Sequence, residues 1–201
     1  LEIPVYWEQV EPEESQFDFT SVDELLALAR EYDVRLVLLW FGTWKNGNME
    51  YAPAWVKRDP ERFWRVIGPA GNPVWVLSSH CPATYEADER AFTRLMAHLR
   101  EEDGQQGTVI AVQIQNEPGI LGSDRDYGEA GQRAFESAVP VDIMARLPKA
   151  EGGQVYAAWQ EAGGRSGGTW GDVFGRKGGE FMLNPREQIE FIDVSPKQLV
   201  S

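Results

Sequence analysis

Glu117 stands where this sequence could best perform proton transfer. It follows an apolar run from Thr108 to Ile114 and the amides Gln115 and Asn116, and Pro118 with Gly119 then ends the run in a turn. A carboxyl at the end of a buried strand is partly desolvated, which suits it to donate a proton near neutral pH. The same local context also fits an ordinary solvated loop carboxylate. A second chemistry is stacking. Trp44 and Tyr51 lie among Asn46, Asn48 and glycines, and aromatic faces beside amides match a sugar ring, whose C–H faces alternate with hydroxyls. Trp7 and Trp40 close the first two apolar runs and are candidates for the same surface, whereas Trp64 reads as packing. His80 and Cys81 fall in a loop that could approach it. Two histidines and one cysteine do not make a His/Cys metal cage, so no bound metal is expected.

The elements that would position these groups follow from periodicity. Leu1 to Glu8 reads as a strand, and Ser21 three residues before Glu24 has the capping-box spacing for a helix to about Tyr32. Val34 to Phe41 is a nearly continuous apolar run, the pattern of a parallel strand covered on both faces. Residues 42–76 lack periodicity and are expected to form a long loop. A second helix is expected from Glu86 to Glu101, and Thr108 to Ile114 should be a second buried strand. A weaker helix from Tyr127 to Leu147, interrupted at Pro140, and a short one around Val155 to Ala162 complete the pattern. Alternating helices and buried strands specify an α/β fold with parallel strands, whose functional groups collect at the strands' carboxyl ends. Residues 1–148 form the main domain, 149–175 a glycine-rich continuation, and 176–201 a segment of different texture.

Composition narrows the partners. With 19 basic against 32 acidic residues the net charge is −13, which repels phosphate backbones and anionic lipid, so neither nucleic acid nor membrane is an expected partner. The apolar runs fall far short of the roughly 20 residues that span a bilayer. A single cysteine permits no internal disulfide, and the cytoplasm is the expected compartment.

The order Val5-Tyr6-Trp7-Glu8-Gln9-Val10-Glu11-Pro12-Glu13-Glu14, Phe17-Asp18-Phe19, Pro53-Ala54-Trp55-Val56, Pro60-Glu61 and Gln113-Ile114-Gln115-Asn116-Glu117 resembles the β-galactosidases of glycoside hydrolase families 42 and 35 over residues 1–175. The resemblance implies a partial (β/α)8 barrel of about three parallel strands with crossover helices. It also implies a retaining double displacement on terminal β-galactosides, with Glu117 as general acid/base and Asn116 bonding the sugar 2-hydroxyl. Two positions depart from the family: Gln115 stands where Glu is frequent, and Pro118 where Tyr is frequent. The family's nucleophile ends the seventh strand, for which this chain shows no counterpart. Glu8, Glu50 and Glu129 are substitutes by position only. Residues 176–201 resemble a short segment of bacterial RNA polymerase β subunit, from which no polymerase function follows.

The expected activity is therefore glycoside hydrolysis by an incomplete fragment. A non-catalytic carbohydrate-binding or inactive barrel fragment is the alternative. An open barrel fragment exposes strand edges, so self-association is expected as well.

Overall fold

The computed structural model describes residues 1–150, 152–175 and 178. The segment 176–201 thus lies, Gly178 apart, outside the described residues. The chain groups into two compact units: residues 1–66 with 73–121, and residues 67–72 with those from 122 onward.

The first unit is built on a three-stranded parallel sheet in the order β1-β2-β5. β1 (Glu2–Tyr6) pairs along β2 (Leu36–Lys45), with Val5 opposite Trp40 and Tyr6 opposite Phe41; β5 (Val109–Asn116) lies on the other side of β2. The strands are joined by α2 (Thr20–Glu31) and α4 (Pro82–Glu102). Successive strand residues face opposite ways. Leu36, Leu38 and Trp40 therefore share one face and enter the core with Leu26 of α2 and Leu95 and Leu99 of α4. Tyr6 and Phe41 share the other.

Local chemistry moved several boundaries. β1 stops at Tyr6, and Trp7 opens the one-turn helix α1 (Trp7–Val10) instead of ending the strand. The expected Ser21–Glu24 capping box does not form, because the helix begins two residues earlier and Ser21 falls inside its first turn. The Asp18 carboxylate accepts from the Thr20 amide at 2.9 Å instead. α4 starts at Pro82, four residues before expectation, where a missing N–H costs nothing. The stretch 42–76 is more ordered than the expected loop. β2 continues through Gly42 to Lys45, α3 (Ala54–Lys57) follows, and β3 (Arg65–Ile67) pairs with β4 (Pro73–Leu77) in a two-stranded ribbon.

β5 is not the doubly covered strand that its composition suggested. Among the described strands it has one neighbour, and Ile110 and Ile114 are 65% and 64% exposed. An apolar run records that a strand can be covered, not that its cover is present.

The second unit packs α5 (Glu129–Phe135), α6 (Val141–Arg146), a 3-10 turn at Leu147–Lys149, α7 (Gln154–Glu161) and α8 (Trp170–Phe174) around Ile143, Leu147, Trp159 and Val173. The helix expected over 127–147 is thus divided by Pro140, as read. α8 escaped the sequence reading, although Thr169 and Asp172 form a reciprocal capping box at its start. The Thr169 amide and hydroxyl hold the Asp172 carboxyl below its ordinary range, against a slight desolvation effect. No helix among the described residues is long and apolar enough to cross a membrane.

Candidate active site

The parallel sheet sends the carboxyl ends of β1, β2 and β5 to one edge, and the candidate groups collect there unevenly. At the end of β5 the backbone leaves ordinary strand geometry. Gln115 and Glu117 have φ of +64° and +48°, a left-handed conformation that costs a side-chain-bearing residue energy and recurs at functional sites. Cross-links hold it in place. The Gly47 amide donates to the Glu117 carbonyl at 3.2 Å, and the Leu121 amide returns a bond to the Gly47 carbonyl at 3.0 Å. Gly47 itself has φ of +65°, and a side chain there would press on the Leu121 backbone. The Asn116 amide donates to Asn46 Oδ1 at 3.1 Å, an oxygen that also accepts from Lys45 Nζ.

Glu117 itself is exposed, so the expected desolvation of its carboxyl is not found. The physical reason is the uncovered edge of β5. Its carboxylate makes no hydrogen bond or ion pair among the described residues, and its backbone, not its side chain, is what the fold fixes.

Gln115 links the strand ends to the helix. Its side-chain oxygen accepts from the Trp44 amide at 3.2 Å, and its Nε2 donates to Asp88 of α4. Asp88 is 5% exposed and also accepts from Trp40 Nε1 at 2.8 Å, from the Thr43 amide at 2.9 Å and from the Thr43 hydroxyl. A Cβ on Gly42 would overlap the Trp40 indole nitrogen and both Asp88 oxygens, so only glycine fits there. Trp40, Trp44 and Gln115 line a cavity of about 310 Å³ against α4. Trp40 is fully buried, however, and offers this cavity an edge of the core rather than a free platform.

The other candidates separate. Tyr51 lies tilted against Tyr6, ring centres 4.4 Å apart, and approaches Phe41 at 5.9 Å, making an aromatic cluster at the ends of β1 and β2. Tyr6 was missed because the expected strand runs two residues past its actual end, which put Trp7 in its place. Trp7 is a correction: it is wholly buried, edge-on to Trp55 at 5.9 Å, and its Nε1 donates to Glu11 at 2.9 Å, out of reach of any sugar. Glu11 has no exposure either and is held by the Ser15 amide and the Arg90 guanidinium, both at 2.8 Å. His80 is half-buried, donates its amide to the Ser78 hydroxyl at 3.1 Å and is not a wall of the cavity. Glu8 pairs with Lys57 at 3.3 Å, Glu50 is exposed, and Glu129 pairs with Arg133 in the second unit. No cluster of three or more metal-ligating side chains occurs among the described residues.

Comparison with known proteins adds a family and a fold. The sequence profile of glycoside hydrolase family 42, described as β-galactosidase, matches residues 4–144. No curated protein matches the chain. Among solved structures, the β-galactosidase of the psychrophilic Marinomonas ef1 is 20% identical, with a TM-score of 0.51 over 88% of this chain and 24% of its own. The cold-adapted β-galactosidase of Rahnella sp. R3 is 22% identical, with a TM-score of 0.46 over 80% of this chain and 22% of its own. The chain thus spans about a quarter of the length of the structures it resembles. Its mixed α/β fold, three parallel strands with helices, resembles a fragment of the β-galactosidase barrel. The polymerase likeness of residues 176–201 rests on their sequence alone.

Proposed function

We propose, on the premise that the chain belongs to glycoside hydrolase family 42, the β-galactosidases, that its strand ends supply the acid/base half of a retaining β-galactosidase site. Glu117 protonates the departing glycosidic oxygen and then activates water, and Asn116 bonds the 2-hydroxyl of the sugar. The observation that carries this reading is the end of β5. There an Asn-Glu pair lies within the family match, Glu117 and the preceding Gln115 stand at left-handed φ with the Glu117 carbonyl bonded by the Gly47 amide, and the Glu117 carboxylate is left uncommitted. The cluster of Tyr6, Phe41 and Tyr51 and the half-buried Trp44 give a β-galactoside aromatic faces nearby. No metal or organic cofactor is needed for a two-carboxylate displacement.

Retaining hydrolysis needs a nucleophilic carboxylate on the opposite side of the scissile bond, about 5 to 5.5 Å from the acid. Glu8 and Glu129 are committed to ion pairs. The 201-residue chain is accordingly expected to turn over aryl β-galactosides barely or not at all, while the same residues joined to the remaining barrel units hydrolyse them in a Glu117-dependent manner. Vigorous turnover by the chain alone would overturn the half-site reading.

A further inference from the structure

We propose that Asp88 of α4 is a positioning residue for the Asn116–Glu117 pair, acting through the side chain of Gln115. Its catalytic consequence rests on the hydrolytic reading, but its geometry does not. The end of β5 has to be held. Among the described strands β5 pairs only with β2, and Gln115 and Glu117 stand at φ of +64° and +48°. Left-handed φ suits glycine and, among the other residues, asparagine and aspartate, whose short side chains bond the local backbone. Glutamine and glutamate have no such compensation, so a strand end free to relax would leave this conformation.

The segment is clamped on both sides of Asn116. After it, the Gly47 amide donates to the Glu117 carbonyl at 3.2 Å. Before it, both ends of the Gln115 amide group are engaged: its oxygen accepts from the Trp44 amide at 3.2 Å, and its Nε2 donates to Asp88. The bond to Asp88 is the firmer of the two, because its acceptor is a carboxylate in a place 5% exposed to solvent. Asp88 in turn is a fixed point. It belongs to the 21-residue helix α4, and Trp40 Nε1 at 2.8 Å, the Thr43 amide at 2.9 Å and the Thr43 hydroxyl hold both its oxygens against β2. Gly42 leaves room for this approach, since a Cβ there would fall 2.5 and 2.7 Å from the two Asp88 oxygens. A carboxylate takes about four donors. Three come from β2, and the fourth is Gln115, the residue before the Asn-Glu pair.

Because Trp40 and Thr43 satisfy Asp88 without Gln115, the link can be cut while Asp88 keeps its hold on β2. Two variants of the 201-residue chain separate its parts. Gln115→Met keeps the side chain's length and loses both bonds. Gln115→Glu can still accept from the Trp44 amide and loses only the donor to Asp88. Amide–α-proton couplings and α-carbon NMR shifts report φ at Glu117, and the methyl signals of Leu26, Leu38 and Leu95 report the core. Both variants are expected to move Glu117 out of left-handed φ with the core signals in place. Left-handed φ kept in both variants would overturn the role of Asp88. Left-handed φ kept in Gln115→Glu alone would overturn it as well, by making the Trp44 amide the anchor. Displaced core signals in Gln115→Met would do the same, by making the link part of the fold.

The second arm is kinetic. In a protein where the remaining barrel units accompany this chain, Gln115→Met is expected to lower kcat on a disaccharide about tenfold with little change in KM, the mark of a group that orients the acid without binding sugar. In a Glu117→Gln background the same substitution should cost nothing further. An equal loss in both backgrounds would show that Asp88 and Gln115 do not act through Glu117. Unchanged hydrolysis in Glu117→Gln itself would remove the hydrolytic reading, and φ at Glu117 would still decide the positioning.

Discussion

Gln115 of β5 donates its side-chain amide to the buried carboxylate of Asp88 on α4. The bond ties the end of the strand that carries Asn116 and Glu117 to the helix that precedes it, through a carboxylate that also holds Trp40 and Thr43. It also gives a physical account of a glutamine at this position. A glutamate at 115 would set two carboxylates against each other in a place with 5% exposure at Asp88, and like charges at that range do not both ionise readily.

Gln115→Glu is therefore expected to destabilise the chain by about 2 kcal/mol at neutral pH, the scale of a hydrogen bond to a charged group. The loss should exceed that of Gln115→Met, which removes the hydrogen bond without adding a charge. Urea unfolding of the two variants checks this. An equal loss in both would show that the lost hydrogen bond, not the added charge, carries the effect.

Glu11 and Arg90 present a different balance. Glu11 is wholly buried and serves Trp7, Ser15 and Arg90 together. Its removal strands three donors, and breaking such a buried pair costs about 3–5 kcal/mol. Glu11→Ala should approach that range in urea unfolding. Glu14→Ala should stay within about 1 kcal/mol, because the two-point Glu14–Arg62 pair is largely exposed to solvent screening.

The contrast between these sites shows what sequence pattern does and does not record. The parallel α/β grammar was legible because Leu36 to Phe41 and Thr108 to Ile114 are apolar over strand length and separated by helical periodicity. Trp7 was misassigned because β1 ends two residues before the expected Glu8, and the helical turn that begins at Trp7 carries its side chain into the core instead of along the strand end. Asp88 gave no signal at all. A carboxylate on the polar-looking stripe of a helix has the same sequence signature whether it meets water or four donors. The exposure of Glu117 was also illegible, since it depends on what covers β5 and not on β5 itself.

Asp103 gives the fold an acid-sensitive joint at the other end of the sheet. Burial by itself would raise its pKa. The Thr108 hydroxyl, the Val109 amide, the Arg30 guanidinium and the Thr108 amide outweigh that effect and bring it from 3.8 to about 2. The folded value lies below the unfolded one, so the stabilisation is full above about pH 4 and is lost as the pH falls toward about 2, a total of about 2 kcal/mol. Asp103→Asn is expected to flatten this acid limb of a stability–pH curve and to lower stability at neutral pH. An unchanged acid limb would assign the acid sensitivity to other carboxylates.

The acid/base role proposed for Glu117 makes a prediction that a merely structural role does not. In a protein where the remaining barrel units accompany this chain, Glu117→Gln keeps the side chain's size but removes the proton it would donate. Departure of an alkoxide leaving group, as from a disaccharide, requires that proton, whereas a nitrophenolate leaves without it. Hydrolysis of disaccharides should therefore fall by about 10²–10⁴-fold, the usual worth of general acid catalysis, while cleavage of nitrophenyl β-galactosides at the first step is nearly spared. Burst kinetics with the nitrophenyl substrate would then expose slow breakdown of the glycosyl-enzyme, because the same residue serves as base for the attacking water. Equal losses for both substrate classes would mean that Glu117 shapes the end of β5, as its left-handed backbone and the Gly47 bond already do, without handling the proton.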